Sequence, residues 1–262
     1  MQKWTDEEIQ LVKQYYGKEP YQDTFKRFDR TKNSVIRKAA YLGVSNTRSD
    51  KNKIQGTKHL SEYWKNSCPV NHNFFGSINN ISSYCAGLLA ADGCVDDKNN
   101  RVVFGLHRKD IGHVQRFNEI VGFTGKIYNS KNKNMSECHY YSEQWVNDLW
   151  SNFNIGPRKS LTIKPPNGLT QEQSLSYICG LIDGDGSVYI QKSKGISYYK
   201  IKIVGTHELM HWCKDITGLK SSIGKYSSIT ELNIFGTNAK KFYNMVEDLN
   251  LPLMERKLVV LK

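Results

Sequence analysis

Two helices predicted in this chain end in an aspartate-glycine pair, Asp92-Gly93 and Asp185-Gly186, and these carboxylates are the best candidates for chemistry. Small side chains recur four positions apart along each helix, at Gly87 and Ala91 in the first and at Gly180 and Gly184 in the second. Such stripes allow two helices to pack with their backbones in contact. With Gly87 and Gly180 at the helix interface, Asp92 and Asp185 would lie side by side.

Two carboxylates placed together at helix C-termini are electrostatically unfavourable. Each helix end carries about half a negative charge, and neighbouring carboxylates repel each other. A divalent cation resolves this conflict, and oxygen ligands suit Mg²⁺, whose coordination is completed by waters and substrate phosphates. We therefore expect two or more Mg²⁺ ions shared between Asp92 and Asp185. The alternative is that both pairs are ordinary helix ends with exposed side chains.

The two aspartates belong to an internal repeat that covers most of the chain. Residues 84–93 match residues 177–186 at an offset of 93, and residues 120–123 match residues 216–219 at an offset of 96. Arg158-Lys159 then matches Arg256-Lys257 at an offset of 98. Ordered matches with small drifts in the offset indicate a duplicated domain rather than a solenoid of short repeats.

Each half of the repeat reads helix, two strands, helix, two strands, helix, so the fold class is α+β with two αββαββα lobes, residues 77–169 and 170–262. The first lobe is expected to place its helices near residues 82–91, 110–121 and 142–152. Strands that alternate apolar and polar residues predict a sheet covered by helices on one side only. The bare faces are expected to carry four basic side chains that could lie in a DNA major groove: Arg101, His107, Lys200 and Lys202.

Residues 1–45 predict a separate three-helix domain, followed by a polar linker over residues 46–76. Thr5 and Glu8 form a capping box at the first helix, and Gly43 ends the third. The third helix turns Val35 and Ala39 inward. Its other face carries polar side chains that could read DNA: Lys32, Asn33, Arg37, Lys38 and Tyr41. A short helix, a turn and a helix with a basic polar face indicate a helix-turn-helix module.

The segments Trp4-Thr5-Asp6-Glu7-Glu8 and 30–43 resemble the Myb/SANT-like helix-turn-helix modules of phage and mobile-element proteins. The resemblance covers about one sixth of the chain. It implies that this domain binds DNA. A basic helix on a protein-interaction module is the other interpretation.

The two helix ends Cys85–Gly93 and Ile178–Gly186 each match the LAGLIDADG signature at six of nine positions. From about residue 77 to residue 262 the chain resembles a single-chain, two-motif LAGLIDADG homing endonuclease. The resemblance implies a pseudo-twofold duplication with a saddle-shaped DNA-binding sheet. It also implies double-strand cleavage at a long asymmetric DNA site, leaving short 3′ overhangs.

The resemblance also implies roles for particular residues. The metal-binding acids of the family fall on Asp92 and Asp185, with the backbone carbonyls of Ala91 and Gly184 as further metal contacts. Its basic residues near the scissile phosphates fall on Lys159 and Lys257, so the implied catalytic set is Asp92, Asp185, Lys159 and Lys257. The acid often found two residues before the metal ligand is present as Asp183 in lobe 2, whereas lobe 1 has Ala90.

Composition and charge agree with a nucleic-acid partner. The chain has 262 residues, with 37 Lys and Arg against 25 Asp and Glu, a net charge of +12. This excess is spread along the chain, which favours an extended polyanion. With 39% hydrophobic residues a core can form. The longest apolar run near a helix is too short to span a bilayer, and no secretory signal is visible.

We therefore expect a monomeric, cytoplasmic protein that acts on double-stranded DNA, with no protein partner evident and no membrane. A phage or mobile-element origin and a role in intron homing fit this interpretation. Two alternatives share the fold: a DNA-binding regulator that has lost cleavage, which Ala90 favours, and an intron maturase that binds RNA. The helix-turn-helix favours duplex DNA, because helices enter the major groove of B-form DNA but not that of A-form RNA.

Overall fold

The computed structural model describes residues 4–16, 21–44, 69–130, 134–193, 195–226 and 228–262. The chain divides into two compact units, Met1–Tyr63 and Trp64–Lys262, which are described separately. The linker residues 46–68 lie outside the described residues.

The described residues of the first unit, 4–16 and 21–44, form three helices: α1 (Asp6–Tyr15), α2 (Tyr21–Lys26) and α3 (Lys32–Tyr41). The capping box predicted at α1 is confirmed, because the Thr5 hydroxyl accepts from the Glu8 backbone N–H and the Glu8 carboxylate accepts from the Thr5 N–H. Val35 and Ala39 are buried, as predicted. Gly43 follows α3 with φ of 65°, a left-handed conformation that glycine adopts without strain. The predicted three-helix fold of this unit is confirmed.

The second unit contains two lobes with the same order of elements. Lobe 1 comprises α4 (Asn80–Asp92), β1 (Gly93–Asp96), β2 (Arg101–His107), α5 (Ile111–Ile120), β3 (Tyr128–Ser130), β4 (Met135–Tyr141) and α6 (Glu143–Phe153). Lobe 2 comprises α7 (Gln171–Asp183), β5 (Ser187–Ser193), β6 (Ile196–Gly205), α8 (His207–Thr217), β7 (Ser221–Tyr226), β8 (Ile229–Phe235) and α9 (Thr237–Val246). The α+β class and the duplicated αββαββα order are confirmed.

Each lobe has one antiparallel sheet of four strands, in the order β1-β2-β4-β3 and β5-β6-β8-β7. In both lobes the first strand pairs antiparallel with the second, beginning with Gly93 opposite Phe104 in lobe 1 and Ser187 opposite Lys202 in lobe 2. Burial alternates along β4, so one sheet face lies in the core and the other is open. This pattern places the helices of lobe 1 on a single side of its sheet. Along β8 of lobe 2 burial does not alternate, because the five residues from Thr230 to Ile234 are all buried.

Lobe 1 begins before the predicted boundary at residue 77. Val70 and Phe75 are buried in the core, and the Trp145 indole donates to the Asn71 carbonyl at 2.8 Å. The Asn71 N–H in turn donates to the Val121 carbonyl at 3.0 Å. The predicted linker 46–76 is therefore wrong at its C-terminal end, because residues 69–76 hold apolar side chains that only the core of lobe 1 can bury.

Candidate active site at the ends of the central helices

Helices α4 and α7 pack against each other along the predicted stripes of small residues. A Cβ added to Gly87 would lie 2.1 Å from the Tyr177 carbonyl oxygen, and one added to Gly180 would lie 2.1 Å from the Tyr84 carbonyl oxygen. These distances leave no room for any other residue at either position. The predicted backbone contact at Gly87 and Gly180 is present, and it joins the two lobes.

The helix contact brings the two motif aspartates close together. A Cβ added to Gly184, the neighbour of Asp185, would lie 3.2 Å from Asp92 Oδ2. Both aspartates are exposed to solvent on one side. Protein atoms crowd the other sides of Asp92, so loss of hydration raises its pKa to about 6, and the negative charge of Asp185 adds to this rise. The predicted juxtaposition of two repelling carboxylates is therefore present.

Two buried lysines lie behind the aspartates. Lys159, in the short 3-10 turn Lys159–Leu161 after α6, donates from Nζ to the Ala91 carbonyl at 3.0 Å. Lys257 donates to three carbonyls at the end of α7, those of Ile182 at 3.0 Å, Asp183 at 2.6 Å and Gly184 at 2.6 Å. Their exposed fractions are only 8% and 4%.

These lysines change the interpretation of the implied metal contacts. The Ala91 and Gly184 carbonyls, which the family resemblance implies as metal ligands, each accept a hydrogen bond from a lysine ammonium. Burial lowers the pKa of both lysines, while the carboxylates of the site oppose that shift. The reason is local: a helix C-terminus leaves carbonyls without partners, and a cation is favourable there.

Asp183, the last residue of α7, is buried. Its Oδ2 accepts from the Tyr84 hydroxyl at 2.7 Å and from the Met254 backbone N–H at 2.8 Å. Loss of hydration raises its pKa to about 6, and the bonds from Met254 and Tyr84 act in the opposite direction. The Tyr84 oxygen also lies 2.9 Å from His113 Nε2, a histidine that burial keeps neutral by lowering its pKa to about 4.

The Asp183 contacts order the segment that carries Lys257. The Lys257 backbone N–H donates to the Met254 carbonyl at 2.9 Å, so the turn from Met254 to Lys257 is attached to Asp183 at its start. Arg256 in this turn makes a bidentate ion pair with Asp110 of lobe 1, with both N···O distances 2.8 Å. Lobe 1 has Ala90 at the position equivalent to Asp183. The two halves of the site are therefore built unequally.

Sequence reasoning missed Tyr84, Asp110 and Met254 as supports of the site. One signal was present for Tyr84, because the repeat matches it to Tyr177 in the second helix. No sequence pattern pointed to Asp110 or Met254, since each contacts a residue of the site from a distant part of the chain.

The pair of carboxylates fits a hard divalent cation in part. Within the described residues no group of three or more His, Cys, Asp or Glu side chains could hold a metal ion by itself. Mg²⁺, however, is commonly held by one or two carboxylates together with waters and substrate phosphates. Because Asp92 and Asp185 repel each other, a divalent cation between them would be stabilising. Asp92 and Asp185 would therefore hold it, with a phosphate completing the site.

The four basic side chains predicted on the open sheet faces have unequal surroundings. Arg101 forms an ion pair with Asp96 at 2.8 Å. Lys202 forms an ion pair with Glu231. His107 accepts from the Lys109 N–H through Nδ1 at 3.2 Å. Lys200 lies between two aromatic rings, 5.9 Å from the centroid of Tyr189 and 5.2 Å from that of Phe235.

The charges of Arg101 and Lys202 are thus balanced within the protein, and Lys200 lies beside aromatic rings. The role of the four residues in DNA binding stays a prediction.

On α3 of the first unit, four of the five predicted reading residues are exposed: Lys32, Asn33, Arg37 and Tyr41. The fifth, Lys38, is half-buried, with Nζ 5.7 Å from the centroid of the Trp4 ring and 5.2 Å from that of Tyr41. Arg30, just before α3, forms a bidentate ion pair with Glu8 of α1, with N···O distances of 2.6 and 2.9 Å. The face is available to a partner, and its use for DNA stays a prediction.

None of the helices formed by the described residues is both long and apolar enough to cross a bilayer. A scan against protein-family models finds no match, and no curated protein matches by sequence.

Among solved structures, the chain is similar to the LAGLIDADG meganuclease I-AabMI bound to uncleaved DNA, with 12% identity and a TM-score of 0.48, over 70% of this chain and 88% of that one. It is similar to I-DmoI in complex with DNA and Ca, with 17% identity and a TM-score of 0.45, over 73% and 98%. It is also similar to full-length DUF199/WhiA from Thermatoga maritima, with 15% identity and a TM-score of 0.45, over 73% and 62%.

Proposed function

We propose that this protein is a site-specific DNA endonuclease that hydrolyses phosphodiester bonds with divalent metal. The observation that carries the proposal is the pair Asp92 and Asp185 at adjoining ends of two helices in backbone contact, each backed by a buried lysine. A net charge of +12 supports a polyanionic substrate. No other group of described residues combines paired carboxylates with buried cations.

Each residue of the site has a distinct part in the proposed reaction. Asp92 and Asp185 would hold Mg²⁺ at the scissile phosphate. When bound, the metal supplies activation of water and charge neutralisation at the phosphate. The carbonyl bonds of Lys159 and Lys257 fix their ammonium groups beside the carboxylates before substrate arrives. A preorganised cation stabilises the charge that develops on the phosphate in the transition state.

The finer features of the proposal come from the family resemblance. We infer that each lobe contributes to cleavage of one strand, that the target is long and asymmetric, and that the products carry short 3′ overhangs. We also infer that the chain acts as a monomer in the cytoplasm and serves intron homing in a phage or mobile element. The open sheet faces and the helix-turn-helix would bind the duplex.

A DNA-binding protein without cleavage is the second candidate. The observations that favour it are the lysine bonds to the Ala91 and Gly184 carbonyls, which leave the two carboxylates as the free oxygen ligands of the site, and Ala90 in lobe 1. The intron maturase remains a further alternative with the same fold. It would bind RNA in preference to duplex DNA.

The deciding experiment is incubation of the full chain with a randomised DNA library and Mg²⁺, followed by sequencing of the ends. We expect paired cuts at one recurrent site. Asp92→Asn and Asp185→Asn should each abolish double-strand cleavage while DNA binding is kept, because each removes one ligand charge and leaves the basic surface. Asp215→Asn, at an exposed aspartate of α8, is the matched control. Full cleavage by either motif variant would contradict the proposal, and binding without cleavage by the native chain would support the second candidate.

A further inference from the structure

A cavity of about 460 Å³ opens in lobe 1 next to Lys159. Its wall includes four cationic side chains against a single carboxylate, that of Asp97: Lys98, Arg158, Lys159 and Lys164. Trp150 of α6 forms another part of the wall. Lys159 lines this cavity and also belongs to the candidate active site, so the two are adjacent. We name this feature the Trp150 cavity.

Arg158 has an unusual backbone conformation, with φ of 57° and ψ of 32°. The other described non-glycine residues with positive φ are all asparagines: Asn100, Asn134, Asn154 and Asn250. Asparagine tolerates the left-handed region, whereas arginine is strained there. Strain of this kind persists where a side chain is needed at a particular place. The conformation of Arg158 is therefore a reason to look for a ligand of its guanidinium.

The equivalent residue of lobe 2 has neither property. Arg256 lies outside the positive-φ set, and its guanidinium is bound by Asp110. Among the described residues, no hydrogen bond or ion pair occupies the side chains of Arg158, Lys98 or Lys164, and all three are exposed. The repeat thus carries one arginine that is internally neutralised and one that is available to an external anion.

Trp150 adds an aromatic surface to the same cavity. Its side chain is 62% exposed, although Trp is usually well buried. A Cβ added to Gly156 would lie 2.6 Å from Trp150 Cε3, so the ring is seated directly on the glycine backbone. An exposed aromatic ring beside several cations is the combination with which proteins bind single nucleic-acid strands.

We propose that the Trp150 cavity holds the DNA strand that passes Lys159, with Lys98, Arg158 and Lys164 on its phosphates and Trp150 against a base or sugar. The inference rests on the proposed function, because it assigns a contact surface for the same substrate. Three unpaired cations and a ring favour a polynucleotide over a small anion, which would need only one or two donors. The two lobes would therefore bind DNA differently, because Arg256, the lobe 2 equivalent of Arg158, is already paired with Asp110.

The substitution Arg158→Gly distinguishes an effect of Arg158 on stability from its effect on DNA binding. Arg158→Gly removes both the charge and the backbone strain, so we expect a higher Tm together with weaker DNA binding. With a labelled random-sequence DNA duplex in EDTA, affinity should fall about fivefold, and the salt slope of log K should decrease by about one. Lys241→Ala, at an exposed lysine of α9, is the matched control for charge and should leave the affinity nearly unchanged.

Trp150→Leu provides a second, independent measurement. It should weaken DNA binding by a similar factor. DNA should also quench the tryptophan fluorescence of the variant less than that of the native chain. An Arg158→Gly protein that is more stable but binds DNA as the native chain does would overturn the inference, as would a loss of stability. A native chain that binds no DNA would overturn the proposed function as well, whereas cleavage with unchanged binding in both variants would overturn the cavity alone.

Discussion

At the scale of single residues, the site is organised by two lysines that complete helix ends. Lys257 satisfies three carbonyls at the end of α7, and Lys159 satisfies one at the end of α4. Buried hydrogen bonds to a charged group are worth more than neutral ones, at about 1.5–3 kcal/mol each. These lysines therefore hold the structure together as well as placing charge beside the aspartates.

The unequal contacts predict an unequal response to substitution. Lys159→Met should lower the free energy of unfolding by about 1.5–3 kcal/mol, since it leaves one carbonyl without a charged donor, and Lys257→Met should lower it by more, since it leaves three. Both should also slow cleavage with little effect on DNA binding, because they act on the transition state. Urea unfolding and single-turnover cleavage measure the two effects, with Lys241→Met as a control. Equal stability of the two variants would contradict the unequal capping.

Asp92 gives a prediction for pH. Its pKa in the folded protein is about 6, against 3.8 as the ordinary value, so the folded state binds the proton more tightly than the unfolded state between these two values. Stability contributed by this group therefore falls as pH rises from 3.8 to 6 and stays low above 6. The cause is that the Asp92 carboxylate has lost hydration and is repelled by Asp185.

Asp92→Asn removes this penalty. Allowing for the exposure of Asp92, we expect the variant to be about 1 kcal/mol more stable than the native chain at pH 7.5, or about 2–4 °C in Tm, with no difference below pH 4. Thermal melts across pH in EDTA test this. Added Mg²⁺ should raise the Tm of the native chain more than that of the variant. A native chain that gains stability over the variant as pH rises in EDTA would contradict the assignment.

At the scale of elements, the packing of α4 on α7 decides where the aspartates lie. Gly87 and Gly180 meet the backbone of the facing helix, and backbone atoms cannot rotate away as a side chain can. The chain beyond each helix then enters its sheet, β1 after α4 and β5 after α7. The helix interface is thus the element that couples the two lobes at the site.

The glycines therefore predict a large effect from one methyl group. Gly180→Ala should cost more than the usual 1–3 kcal/mol of an overpacked core and should abolish cleavage, because the two helix ends must separate. Gly112→Ala in α5 is the matched control, since a Cβ there meets no atom within 4 Å and alanine favours a helix. Denaturant unfolding and cleavage assays on both variants are the measurements. A Gly180→Ala chain as stable as the Gly112→Ala chain would contradict the close approach.

At the scale of the whole molecule, the chain has two compact units with separate cores. The three-helix unit carries an exposed basic face on α3, and the duplicated unit carries the candidate active site. Two tethered modules that bind one DNA increase affinity through effective concentration without altering the chemistry.

A fragment of residues 64–262 should cut the same phosphates as the full chain, bind DNA more weakly and protect a shorter footprint. Replacing Arg37 and Lys38 by Ala in the full chain should reproduce much of the loss and flatten the salt dependence of binding. Footprinting and binding at several salt concentrations are the measurements. A fragment that starts at residue 77 is a useful contrast, because it lacks Val70 and Phe75 and should be much less stable. An unchanged footprint for residues 64–262 would assign the first unit to a partner other than the target DNA.

Much of this architecture could be read from the sequence because its signals are local. The apolar periodicity and the capping box at Thr5 depend on residues a few positions apart, and the repeat is visible by matching the sequence to itself. The contact of α4 with α7 was also predictable, since small residues at a four-residue spacing on two equivalent helices allow their backbones to approach closely. From this contact followed the juxtaposition of Asp92 and Asp185.

The partners of the polar side chains were decided by the tertiary structure alone. Lys159 bonds to Ala91 and Lys257 to Gly184 across 68 and 73 positions of sequence, and Tyr84 reaches Asp183 across 99. Burial forces each of these groups to find a partner, but the partner is whichever group the packing brings near. Periodicity and propensity report only on neighbours in sequence, so they indicate which residues can do chemistry. The approach of distant segments decides which of those residues are available for it.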